Sequence, residues 1–208
     1  MIDIVSTFIF FFAVVDPIGT VPVYLAVTHQ FDPKSRRKIA FKAVLFAVAV
    51  LIFFVIAGEY ILTAIDIPLS AFQIAGGIVL FLFALSMIFG ESKPEHEVQL
   101  AEAEENQTAI FPLAVPSIAG PGAILAAVLQ TENAKFSFVE QIEITIVMLA
   151  VLSVTLTLML CASGVHKLIG NSGASIISRV MGLILASVAV RSVLSGITEY
   201  FGLAIGTS

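Results

Sequence analysis

Residues 14–28 read Val-Val-Asp-Pro-Ile-Gly-Thr-Val-Pro-Val-Tyr-Leu-Ala-Val-Thr. An apolar run that starts at Ile4 is interrupted in its middle by Asp16-Pro17-Ile18-Gly19 and again by Pro22. A second apolar run is interrupted by Pro116-Ser117-Ile118-Ala119-Gly120-Pro121-Gly122. Pro17 and Pro121 stand 104 residues apart, one in each half of a 208-residue chain. Short Gly/Pro-interrupted hydrophobic segments at corresponding places in two halves are the best sequence pointer to a transporter site near the bilayer midplane.

Everything around the two stretches reads as membrane protein. Hydrophobic residues make up 59% of the chain and charged residues 12%, against roughly 45–50% and 25% in soluble domains. Six stretches reach the approximately 20 apolar residues that a span requires: 4–28, 38–58, 67–90, 108–131, 144–165 and 176–200. Little chain is left over, so no soluble domain is expected. The N-terminus has Asp3 and no Lys or Arg before its apolar run, so residues 1–28 read as a retained span rather than a cleaved leader. Cys161 is the only cysteine, which excludes a disulfide within the chain. No basic cluster of the kind that binds nucleic acid is present, apart from one short basic loop.

The basic residues set an orientation. Lys34, Arg36, Arg37, Lys38 and Lys42, then Lys93, then Lys167 and Arg179, fall on one side, and Lys135 alone on the other. Basic residues stay cytoplasmic, so both termini are expected outside. The acidic stretch 91–107 then becomes a cytoplasmic linker between a first repeat, 1–90, and a second, 108–208. At an offset of 106, Gly58 matches Gly164, Gly76 matches Gly182, Ser86 matches Ser192 and Gly90 matches Gly196. Three spans per half is an odd number, so the second half enters from the opposite side. The expected fold is all-α: six transmembrane helices as an inverted 3+3 repeat, with helices 1 and 4 broken and a pocket between the breaks.

Candidate chemistry gathers at the breaks. Proline removes a donor and disrupts the turn before it, and a freed carbonyl in lipid must be satisfied by protein, water or ligand. Asp16 lies near mid-depth, where a carboxylate is expensive and usually functional. It can hold a proton, a sodium ion or a substrate ammonium, and equally it can cap the half-helix that starts at Pro17. The second cluster is uncharged. Gly120 and Gly122 permit close backbone approach, Pro121 suits a first helical turn, and the N–H groups of that turn suit a carboxylate; the alternative is close helix packing. Ser117 adds a hydroxyl. Arg191, the one basic residue deep in a span, can pair with Asp16, bind a carboxylate or snorkel to the interface. Gln73 and the Ser86/Ser192 pair are weaker polar candidates. His29, His96 and His166 are scattered at span ends and loops, and no enzyme motif occurs, so catalysis, an organic cofactor and a metal site are not expected.

The stretches DPIGTVPVYLAVT and PLAVPSIAGPGAI resemble the two signatures of the MarC family of inner-membrane proteins, and the resemblance covers the whole chain. It implies the wider LysE-like superfamily, a multi-pass location in the cell inner (plasma) membrane, and kinship with transporters that move glycine or alanine, coupled to an ion gradient. The motif residues carried over are Asp16, Pro17, Gly19 and Pro22, then Pro116, Ala119, Gly120, Pro121 and Gly122. Thr20 and Val21 follow DPxG here, where many relatives have Asn and a branched residue. The expected substrate site is Asp16, Pro17, Gly19, Thr20, Ser117, Ala119, Gly120, Pro121, Gly122 and Arg191. The expected partners are the bilayer, a small amino acid and a coupling proton or sodium ion; a homo-oligomer is compatible with this. A passive channel, or an exporter of other small solutes, is the alternative.

Overall fold

The computed structural model describes residues 2–89, 105–133 and 135–203; within the last helix the side chains of 165–169, 171, 172 and 174 are not described. The linker residues 91–104, with Lys93 and His96, and Gly90 of the glycine matches therefore lie outside the described residues, as do the side chains of His166 and Lys167. The helices are α1 (Ile4–Val15), α2 (Pro17–Thr28), α3 (Pro33–Ala64), α4 (Leu69–Phe89), α5 (Pro121–Leu129), α6 (Phe138–Leu160) and α7 (Ala162–Tyr200). A short turn, Glu105–Thr108, leads into a distorted helical segment, Ala109–Ile118. No strand occurs among the described residues.

Among the described residues five stretches are long and apolar enough to cross a bilayer: Ile4–Thr28, Pro33–Ala64, Leu69–Phe89, Phe138–Leu160 and Ser175–Tyr200. A sixth is the pair Ala109–Ile118 and Pro121–Leu129, bent by 58°. Two boundaries differ from the sequence reading. Span five starts at Phe138 rather than 144, because Ser137 and Glu140 form a capping box that nucleates the helix earlier. The basic residues 34–38 sit on the first turns of α3 rather than in a loop, because Asp32 caps that helix and Pro33 opens it. Arg36 also turns back: its Nε donates to the carbonyls of Thr28 and Phe31 at 2.9 and 3.1 Å, and its Nη2 to His29 at 2.8 Å. It thereby closes the C-terminus of α2, where carbonyls lack intrahelical donors.

The packing pairs follow a pattern. α1 lies on α6 as Ala109–Ile118 lies on α3, α2 on α7 as α5 on α4, and α2 on α6 as α5 on α3. α4 and α7 pack most extensively with each other. Their glycines show why. A side chain at Gly77 would meet Val193 and the Ala189 carbonyl, one at Gly182 would meet Ile88 and the Ala84 carbonyl, and one at Gly196 would meet Ile74 and the Ser70 carbonyl. One index rises as the other falls, so the two helices run antiparallel at small-residue distance. Gly58 similarly receives Val128, but its match Gly164 faces open space. Phe11, Leu51, Leu80, Leu113, Met148 and Leu185 fill the centre, while Leu45, Phe53, Leu82, Ile146 and Leu183 stand exposed. An apolar exterior of that extent suits a chain whose solvent is lipid.

Polar contacts mark one end of the bundle. Glu59 of α3 accepts from the backbone and side-chain N–H groups of Asn133, each at 2.9 Å. Lys135 Nζ pairs with Glu132 at 2.9 Å and with Glu199 of α7 at 2.8 Å. Ile2, Asp3 and Ser6 share a cavity with Glu132 and Lys135 at this end. The start of α1 and the end of α7 therefore lie together.

Candidate functional site

At the first break the chain turns on Asp16. Its φ of 50° and ψ of 65° lie in the left-handed region, where Asp is among the few tolerant residues. Its backbone N–H closes α1 on Phe12 at 3.0 Å, and its Oδ1 accepts from the Gly19 N–H at 3.0 Å to open α2. Its carbonyl accepts from both the N–H and the hydroxyl of Thr20, at 3.1 and 3.0 Å. One residue thus ends a helix and caps the next. Gly19 is required by the same arrangement: a Cβ there would lie 2.0 Å from Asp16 Oδ2. The capping role considered for Asp16 is what its geometry displays.

The second break uses no side-chain cap. Phe111 and Val115, each preceding a proline, are forced out of the helical region to extended backbone. The Ala119 N–H returns to the Ala114 carbonyl at 2.8 Å. Gly120, extended at φ −75° and ψ 175°, is the N-cap of α5, and Pro121 occupies its first turn. A Cβ on Gly120 would lie 2.7 Å from the Pro116 carbonyl oxygen. One on Gly122 would lie 2.6 Å from Leu80 Cδ1 and 3.5 Å from Val14 Cβ. Close packing is thus part of what both glycines do. The first-turn N–H groups of Gly122 and Ala123 have no acceptor within α5 itself, by helix geometry.

The breaks meet. Ser117 Oγ donates to Thr20 Oγ1 at 3.4 Å, and Gly122 lies against Val14. Asp16 is 1% exposed, Thr20 0%, Ser117 3% and Ala119 0%; Pro17, Gly19, Gly120 and Gly122 are also buried, and Pro121 is exposed. The two motifs touch directly, Ser117 on Thr20 and Gly122 on Val14, where a pocket between the breaks is expected. Arg191 is not drawn to them. It is exposed and lines two cavities with Lys135 at the polar end of the bundle. The cluster Glu59, Glu132, Asn133, Lys135 and Glu199 escaped the sequence reading. Its one signal was Lys135, the single basic residue on its side. Burial opposes the charge on Lys135, but the hydrogen bonds it donates to Glu199 and Glu132 outweigh that and raise its pKa. Among the described residues no His, Cys, Asp and Glu come together as a metal site.

The profile of the MarC family integral membrane proteins matches residues 1–201. The chain belongs to the MarC family. A UPF0056 membrane protein of Methanocaldococcus jannaschii is 37% identical over 188 residues, covering 89% of this chain and 91% of that one. The UPF0056 inner membrane protein YhgN of Escherichia coli K12 is 34% identical over 198 residues, covering 95% and 97%. A UPF0056 membrane protein of Buchnera aphidicola subsp. Schizaphis graminum is 30% identical over 202 residues, covering 97% and 99%. No solved structure matches the chain. This MarC-family chain is a multi-pass protein of the inner membrane, in keeping with its spanning helices and with the named location of YhgN.

Proposed function

We propose that this MarC-family protein is a secondary transporter of small neutral amino acids such as glycine and alanine, driven by a proton or sodium gradient, rather than an enzyme. The observation that carries the reading is the direct contact of the two motifs, Ser117 on Thr20, with Asp16 buried beside them. A zwitterion offers an ammonium and a carboxylate. Asp16 offers a carboxylate, and the first turn of α5 offers N–H groups with the positive end of a helix dipole. The small residues Ala119, Gly120 and Gly122 leave room for a small side chain only.

In this reading the packed breaks are an occluded state, and the substrate space opens as the halves move. Residues 1–90 and 108–208 form an inverted 3+3 repeat joined by the cytoplasmic linker 91–107, with both termini outside. The interchange of packing pairs between halves and the antiparallel α4–α7 contact support it. Through the same resemblance the chain is a distant relative of LysE-like exporters.

Uptake of labelled alanine and glycine into proteoliposomes, with and without imposed proton or sodium gradients, tests the function. Gradient-driven accumulation is expected in the wild type and is abolished in Asp16→Asn, which keeps the size and the cap while removing the charge. Flux that ignores every gradient would identify a passive channel, and alanine transport by Asp16→Asn at the normal rate and ion dependence would leave the carboxylate a structural cap only.

A further inference from the structure

The two ends of the bundle treat their cations differently. At the polar end, which includes Glu59 near the end of α3, Lys135 is held by Glu132 and Glu199. At the opposite end, where α3 starts, residues 29–42 carry Lys34, Arg36, Arg37, Lys38 and Lys42 against one acid, Asp32. Asp32 already accepts from the Lys34 and Ser35 N–H groups as the cap of α3. The Arg36 guanidinium is occupied by the carbonyls of Thr28, His29 and Phe31. The Tyr24 hydroxyl in turn donates to the Arg36 carbonyl at 3.0 Å, so the corner between α2 and α3 is fixed. Lys38 and Lys42 have interactions of their own. The side chains of Lys34 and Arg37 are exposed and, among the described residues, make no ion pair or hydrogen bond.

The length of α3 fixes the depth of these two cations. Its 32 residues reach about 48 Å at 1.5 Å per residue, against a hydrocarbon core of about 30 Å. Its first turns therefore stand in a headgroup layer. Steps of three and four residues put Lys34, Arg37, Phe41 and Leu45 on one face, and Phe41 and Leu45 are 55% and 67% exposed. We propose that Lys34 and Arg37 form a docking site for the phosphate of an anionic phospholipid, with its acyl chains lying along Phe41 and Leu45. The guanidinium presents paired N–H groups that match phosphate oxygens, and the ammonium adds a point charge. Basic residues beside a span attract anionic lipids in this way. A soluble anion could use the cations alone, whereas a lipid uses the apolar face below them as well. The site depends neither on the transport reading nor on which end faces the cytoplasm.

Fluorescence quenching tests it. The chain has no tryptophan, so Phe41→Trp gives a single reporter of the lipid beside this face. In phosphatidylcholine bilayers, a small share of brominated phosphatidylglycerol is expected to quench it at least about fivefold more effectively than the same share of brominated phosphatidylcholine, the effect of one basic side chain near the headgroups. Lys34→Gln with Arg37→Gln should bring the two lipids to parity. Unchanged quenching by brominated phosphatidylcholine shows that this variant is still folded and inserted. With Lys34 and Arg37 intact, raising the salt should lower the preference. Phe138→Trp, exposed at the polar end, is the reference and should show none. A preference that survives the double substitution, ignores salt, or is equal at both reporters would overturn the proposal. So would its abolition by soluble glycerol phosphate, which would make this a site for free anions. A preference that emerges only when the glutamates of 91–105 are replaced by glutamine would make the linker the occupant, and would overturn it too.

Discussion

The two breaks do the same mechanical work with opposite chemistry. At the first, a charged side chain carries the turn: Asp16 closes α1, caps α2 and receives the Thr20 hydroxyl. At the second, backbone alone carries it, with Gly120 as cap and two extended residues ahead of prolines. The first therefore holds a buried carboxylate side chain within the break, and the second holds none. The second instead lets the protein's own atoms approach its backbone, the Pro116 carbonyl at Gly120 and Leu80 at Gly122, because its glycines carry no side chain. Charge in the second half is displaced to the end of the bundle, onto Lys135, Glu132, Glu199 and Arg191. Two halves with similar packing have divided polar chemistry between them.

The largest expected effect lies at the uncharged break. Gly120→Ala brings a Cβ within 2.7 Å of the Pro116 carbonyl oxygen, a backbone atom that cannot rotate aside. A destabilisation of about 2–3 kcal/mol is expected from overpacking, read as loss of thermal stability in detergent. In the transport assay, Gly120→Ala and Gly122→Ala should weaken the larger substrates first. Stability unchanged in Gly120→Ala would show that the second break is loose, and the contrast with the first would fail.

Next comes Asp16→Ala, expected to destabilise by about 2 kcal/mol, combining a lost N-cap with a left-handed backbone that Ala adopts poorly. Asp16→Asn keeps both features and should be close to neutral in the same thermal assay. Gly19→Ala should resemble Asp16→Ala, since its new Cβ strikes the Asp16 carboxylate, a side-chain end that can swing away and take the cap with it. If Asp16→Asn destabilises as much as Asp16→Ala, the charge itself holds the break together.

At the end of the bundle, Lys135→Ala removes the ion pairs that link the residue 130–137 loop to α7. Lys135 is partly exposed, so the loss should stay below about 1 kcal/mol. Its pKa is raised above 10.5, so its contribution is full below pH 10.5 and disappears as pH rises through the folded value. A wild-type stability curve that falls on the alkaline side, and flattens there in Lys135→Ala, is the expected result.

The smallest effect is at Asp3, which caps α1 by accepting from the Val5 and Ser6 N–H groups. Its pKa is lowered below 3.8, chiefly by the Ser6 hydroxyl. Its contribution is therefore present above pH 3.8 and lost as pH falls through the lower folded value. Amide exchange of the first turn of α1, measured across that range, should show local fraying only. Global unfolding there would show that the polar end matters more than the breaks.

Much of this was written along the chain. Apolar run length located the five or six candidate crossings, because a bilayer accepts only backbone whose hydrogen bonds close within the segment. The Asp-Pro-x-Gly and Gly-Pro-Gly stretches located both breaks, because proline and glycine act on their own neighbours in sequence. The paired motifs also identified the family. Tertiary structure alone decided what those residues face. It set Ser117 on Thr20, and Leu80 and Val14 against Gly122, so that the two breaks touch. It also carried Arg191 away from Asp16 to a cavity at the polar end of the bundle, whose lining comes from α1, α4, α5, α6 and α7. Such contacts join residues tens to more than a hundred positions apart. Their partners depend on which faces of the helices meet, and along a nearly uniform apolar sequence that choice is made by side-chain packing across the whole bundle.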